Sequence, residues 1–167
     1  MHIFLDFEAS SLSKQSYPIE VGWVSEGGSE EGYLIKPAPG WTEWDATAEA
    51  VHGISREQLE REGTAHDMVC TRLVEVFEGN VVYASAPSWD GHWLSMLLRA
   101  AGRPRHLLRL KDSQTVFLEA ATARGGPTAE RIARARQVIE TGPVAHRAVA
   151  DARREWSIWR EIVEADE

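Results

Sequence analysis

A chain of 167 residues with 43% hydrophobic and 26% charged residues suits one domain with its own core, of ordinary soluble globular class. A net charge of −8 argues against broad, charge-driven coating of long nucleic acid, and the single cysteine, Cys70, excludes an internal disulfide. No stretch approaches membrane-spanning length, and the N-terminal apolar run, interrupted by Asp6 and Glu8, is no signal peptide, so the expectation is a cytoplasmic protein that does not engage a membrane.

The first eight residues, Met1-His2-Ile3-Phe4-Leu5-Asp6-Phe7-Glu8, read as a buried strand that ends on two carboxylates. Residues i and i+2 of a strand share a face, so Asp6 and Glu8 converge as an acidic claw. A hard divalent cation would offset their repulsion, whereas a strand end facing water would simply solvate them. A polar loop, Ala9 to Ser16, leads to a second strand, Tyr17-Pro18-Ile19-Glu20-Val21-Gly22-Trp23-Val24. A turn at Glu26-Gly27-Gly28-Ser29 and a third strand, Gly32 to Lys36, complete an antiparallel meander.

From Gly40 to Gly63 the pattern is irregular, with Trp41 and Trp44 over the meander and Ser55 as an N-cap with Gln58 at the capping-box spacing. A helix is expected over Thr64–Glu78, then a short strand Val81-Val82-Tyr83-Ala84 in a parallel, covered position. A helix from about Ser88 to Ala101 carries the stripe Trp93, Leu94, Leu97 and Leu98. Leu107-Leu108-Arg109-Leu110 reads as the fifth strand. Asp112 and Ser113 cap a helix through Ala121, another helix runs from Thr128 to about Glu140, and a last one runs from about His146 to Val163. Residues 1–98 carry 5 basic and 16 acidic groups and residues 99–160 carry 13 and 6, so positive charge is segmental; solvated helix faces account for most of these arginines.

Two further segments offer chemistry. Asp90 stands at a helix start just after a strand and loop, where open α/β sheets place functional groups, although a first-turn acid also suits the helix dipole. His146-Arg147-Ala148-Val149-Ala150-Asp151 puts His146 and Asp151 near the start of the last helix, among small residues that permit close packing.

In order, these pieces resemble the DEDDh branch of the DnaQ-like 3′–5′ exonucleases, within the ribonuclease H-like superfamily. The resemblance runs from Phe4-Leu5-Asp6-Phe7-Glu8 to His146-Arg147-Ala148-Val149-Ala150-Asp151-Ala152, with support from Tyr17-Pro18-Ile19-Glu20-Val21-Gly22 and Val51-His52-Gly53-Ile54. It implies one exonuclease domain over residues 1–167, built on a mixed five-stranded sheet with helices on both faces. It implies that Asp6, Glu8, Asp90 and Asp151 hold two Mg²⁺ or Mn²⁺ ions and that His146 is the general base, cutting 3′ ends of single-stranded DNA or RNA into nucleoside 5′-monophosphates. Two such ions can clamp the attacking and leaving oxygens of a phosphodiester displacement, and an imidazole can accept the water's proton near neutral pH.

By the same resemblance Ser10, Ser11 and Leu12 meet the terminal nucleotides, Leu12 as a wedge between bases, against the alternative of an ordinary surface loop. His52 would approach the substrate, or be an exposed loop histidine; Trp89 would stack on a base, or join the core. Dimers are common in the family, so a homodimer is one arrangement open to the chain. Ser85-Ala86-Pro87-Ser88-Trp89-Asp90 departs from the family pattern, because the usual His-Asn before the middle Asp is missing. Two rival functions stand beside the enzyme: a catalytically weak module binding nucleic-acid ends, and an interaction protein whose acids are a solvated face.

Overall fold

The computed structural model describes residues 1–165. Its centre is β1 (His2–Ala9), hydrogen-bonded on one side to antiparallel β2 (Pro18–Ser25) and followed in the chain by β3 (Glu30–Lys36). The short helices α1 (Ala46–His52) and α2 (Arg56–Glu62) precede a two-residue strand, β4 (Thr64–Ala65). Then come α3 (His66–Phe77), β5 (Val81–Ala84), α4 (Pro87–Ala100), β6 (Leu110–Asp112), α5 (Ser113–Arg124), α6 (Thr128–Ile139) and α7 (Ala148–Glu164). The sheet order is β4-β3-β2-β1-β5-β6, with β5 parallel to β1 and β6 parallel to β5.

The α/β architecture and the antiparallel meander are as read from the sequence; the sheet has six strands rather than five. The extra strand takes the first two residues of the helix expected from Thr64, because Thr64 and Ala65 pair with Ile35 and Lys36 at the sheet edge. The edge strand β6 also lies later than Leu107–Leu110. Leu107 closes a turn, its amide donating to the Pro104 carbonyl, and Leu110 is the first residue to pair, opposite Val82.

Alternation along β1 divides the core. Ile3, Leu5, Phe7 and Ala9 point to the face covered by α3 and α4, with Phe77, Trp93, Leu94 and Leu97. Phe4 points the other way, into a second cluster with Phe117, Ile158 and Ile162 of α5 and α7. Asp6 and Glu8 share the face of Phe4, the face on which α7 packs. A third cluster holds the irregular segment down: Tyr17 stacks on Trp41 at 5.3 Å, with Ile19, Ile54 and Leu59 buried beneath. Among the described residues no helix is long and apolar enough to cross a membrane.

Candidate metal centre

Asp6 and Glu8 lie at the carboxyl end of β1, one strand residue apart on one face. The start of α7 is pressed onto β2 beside them. Gly22, the partner of Asp6 across the ladder, has no side chain to hold it off; a Cβ there would stand 2.3 Å from the Val149 amide nitrogen. That contact brings Asp151 to the pair, and a carboxylate oxygen from each of Asp6, Glu8 and Asp151 lies within 4.8 Å of the others.

Asp90 joins from the opposite layer. In the first turn of α4, it is buried, and its Oδ1 accepts a 3.3 Å hydrogen bond from the Phe7 amide between the two β1 acids. Its Oδ2 is buried with no hydrogen-bond partner. Native structures rarely leave such an oxygen unsatisfied; Asp90 lies outside the 4.8 Å cluster of Asp6, Glu8 and Asp151, yet near enough for its charge to raise both Asp6 and Glu8.

The electrostatics agree. Burial first, and then the charges of Asp90, Glu8 and Asp151, push the Asp6 carboxyl well above its ordinary range, against a smaller opposing pull from Arg154. Burial, Asp151 and Glu20 raise Glu8 to about 7, opposed by Arg147. Burial raises Asp90 to about 7, although the backbone amides of Phe7 and Ala86 pull it down. The nearest cation to Asp151 is its own helix neighbour Arg154, at 3.7 Å. Three clustered hard oxygen donors, their mutual repulsion and the orphaned buried oxygen of Asp90 beside them fit a divalent cation well.

These shifts have a measurable sign. Each raised group binds more protons folded than unfolded, so its penalty is absent below its unfolded value near 4 and complete above about 7. His52, lowered by burial, works in the opposite sense near neutrality. The melting temperature of metal-free protein is therefore expected to fall from pH 5 to 8, and the fall should shrink in Glu8→Gln and Asp90→Asn variants. Parent and variants with parallel melting profiles would contradict this.

His146 is not in the first turn of α7, as the sequence reading has it. It is exposed in the connection before that helix, with φ 49°, the only positive φ outside glycine among the described residues, and it makes no hydrogen bond there. A histidine in left-handed backbone is uncommon and mildly strained. Arg147 is the extended N-cap of α7, and its own side chain does not cap; Glu20 of β2 does, accepting from the Ala148 amide at 3.0 Å and from the Arg147 guanidinium at 2.7–3.1 Å.

The substrate-loop candidates divide. The Ser10 and Ser11 hydroxyls both donate to the Glu43 carboxylate, and both serines are buried, so those hydroxyls are engaged inside the protein. Leu12 is 73% exposed. His52 is not an exposed loop histidine: it is buried at the end of α1, its Nδ1 accepting from the Ile54 amide, its Nε2 without a partner. Trp89 is 37% exposed and stacks at 5.6 Å on Trp93, which belongs to the core and donates from Nε1 to Ser16 Oγ.

No protein-family model and no curated protein sequence matches the chain. Solved structures do. Exonuclease I of E. coli, in a zinc-bound complex with single-stranded DNA, superposes with a TM-score of 0.68 at 16% identity over 94% of this chain and 39% of that one. Its complex with a dA16 oligonucleotide gives 0.69 at 16% identity over 98% and 40%. A further exonuclease I structure gives 0.71 at 15% identity over 98% and 40%.

The chain has the fold of exonuclease I. The α/β architecture agrees with that expected from the sequence, and the chain spans about 40% of the length of exonuclease I. Within that fold, Glu20 is the residue whose importance the sequence concealed. It reads as one more position of a strand, yet it is 6% exposed and its carboxylate is filled by partners 127 and 128 residues away. The available signal was an acid amid the buried run Ile19, Val21 and Trp23. Glu20→Gln removes the charge that holds Arg147. It is expected to cost about 1.5–3 kcal/mol, the range for a hydrogen bond to a charged group, read as a lowered melting temperature; a melt equal to the parent's would contradict the clamp.

Proposed function

We propose that the chain is a metal-dependent 3′–5′ exonuclease, hydrolysing phosphodiester bonds at the 3′ end of single-stranded DNA or RNA and releasing nucleoside 5′-monophosphates. The observation that carries this reading is the convergence of Asp6, Glu8 and Asp151 within 4.8 Å, with Asp90 buried nearby. Four carboxylates bring a charge of −4, which two divalent cations, Mg²⁺ or Mn²⁺, neutralise. When bound, such ions supply Lewis-acid polarisation of the phosphate and charge stabilisation in the displacement.

The remaining roles fall to the chain itself. Asp6, Glu8, Asp90 and Asp151 hold the ions. His146 accepts the proton of the attacking water, and its exposure in a connection tethered through Arg147 lets it approach a bound phosphate. Glu43 fixes the Ser10–Ser11 loop from within, which leaves exposed Leu12 to wedge between the terminal bases. Trp89, exposed on one face and backed by Trp93, offers a stacking surface beside Asp90. The fold shared with exonuclease I, whose structures include complexes with dA16 and dT13 oligonucleotides, supports a single strand as substrate.

Such a site accepts a free terminal hydroxyl in a tight loop. A single strand ending in a 3′-phosphate is therefore expected to be degraded at least about tenfold more slowly than the same strand ending in a hydroxyl, roughly 1.4 kcal/mol of lost complementarity. Equal rates on both ends, measured with Mg²⁺ or Mn²⁺, would count against an exonuclease that reads the 3′ terminus.

A further inference from the structure

Between Asp90 and Asp112 the sequence has no acidic residue, yet it has Arg99, Arg103, Arg105, Arg109 and Lys111. All five are exposed, and among the described residues none has a carboxylate partner. Elsewhere pairing is the habit of this protein: Lys36, Arg72, Arg136, Arg147, Arg153 and Arg160 each have an acid within 4 Å. A chain with a net charge of −8 has acids to spare, so five adjacent unpaired cations are not explained by a shortage of partners.

Two of them, Arg105 and Arg109, line a groove. It has a volume of about 430 Å³ and lies between α4 and the segment leading into β6, with His92 and Ser95 on one wall and Arg105, His106 and Arg109 on the other. Arg105 Nε donates to His106 Nε2 at 2.8 Å, which turns that imidazole toward the guanidinium and not toward an acid. His92 Nε2 is buried with no partner. The groove starts on the same helical turn as Asp90: Pro87 and Gly91, which line it, belong with Asp90 to the first turn of α4. Trp89 stands on the same turn, its ring 6.5 Å from that of His92 and edge-on to it.

We propose that this groove holds phosphates of the single strand on the 5′ side of its 3′ end, extending the active site proposed above, on which this inference rests. A stacking surface at Trp89 followed by guanidinium and imidazole groups is the arrangement that tracks a single strand: bases on aromatic faces, backbone along cations. The site is local, so it adds a few phosphate contacts and no long-range attraction to a protein that is acidic as a whole. A ligand shorter than the distance from the metal centre to the groove gains nothing from it.

The test compares kcat/KM on 5′-labelled oligothymidylates of about 3 and about 12 nucleotides across a salt series, with Mg²⁺ present. Arg105→Ala/Arg109→Ala is expected to lower the ratio of the longer to the shorter substrate about tenfold, and to reduce the salt slope on the longer one by about 1.4, at 0.7 per lost single-strand contact. Arg134→Ala, which removes one exposed cation from α6, controls for the loss of positive charge away from the groove and should leave ratio and slope at parental values. Both substitutions are at exposed positions, and an unchanged melting temperature verifies folding. A parent that degrades both substrates, with a double variant matching it in ratio and slope, overturns the groove and spares the exonuclease. A parent that degrades neither overturns both.

Discussion

Asp6→Asn is expected to lose turnover by more than about 10³-fold, several kcal/mol of transition-state stabilisation, while the metal-free variant melts higher than the metal-free parent. Both effects come from one geometry. Asp6 is held near Glu8, Asp90 and Asp151 in a largely buried site, and its carboxyl is raised first by burial and then by those charges. Removing the charge relieves a repulsion that the apo fold bears, and takes away an anionic ligand that the loaded site needs. Calorimetric titration with Mn²⁺ should show weakened binding in parallel. A variant that melts no higher than the parent and binds Mn²⁺ equally well would mean that these acids are a solvated strand end.

His146→Ala separates proton transfer from metal holding. Turnover is expected to fall by about 10²–10⁴, the span for a lost general base, with Mn²⁺ affinity close to that of the parent, since His146 is not among the clustered ligands. The melting temperature should barely change, because the side chain is exposed and has no hydrogen-bond partner among the described residues. Glu20→Gln offers the contrast. It loosens the connection through Arg147, so turnover falls by up to about 10²-fold as the base loses its position, with the melting temperature lowered as well, because Glu20 also caps α7. A folded His146→Ala protein with near-parental turnover across the pH range would remove His146 from the mechanism.

The parts of this site that were legible in the sequence are those set by local periodicity. Asp6 and Glu8 face one way because a strand repeats every two residues, and Asp90 follows strand β5 into a helix start. The stripe Trp93, Leu94, Leu97 and Leu98 placed α4 on the sheet. What escaped was set by distant partners. α7 begins at Ala148 because Glu20, on β2, supplies its cap, and nothing near His146 announces the left-handed turn before it. The Ser10 and Ser11 hydroxyls looked free for a substrate because Glu43, their acceptor, lies some thirty residues on. β4 was hidden for another reason: two residues are too few to show a period, and its pairing belongs to the edge of β3. Leu107 and Leu108 mimic a strand, but the turn closed on Pro104 delays pairing to Leu110.

The most direct measurement is the time course of products from a 5′-labelled linear single strand, run beside a covalently closed single-stranded circle with Mg²⁺ or Mn²⁺ present. The account predicts a ladder that shortens one nucleotide at a time from the 3′ end, release of nucleoside 5′-monophosphates, an untouched circle, and no reaction in EDTA. Cleavage of the circle, or an undegraded linear strand at saturating metal, would contradict it.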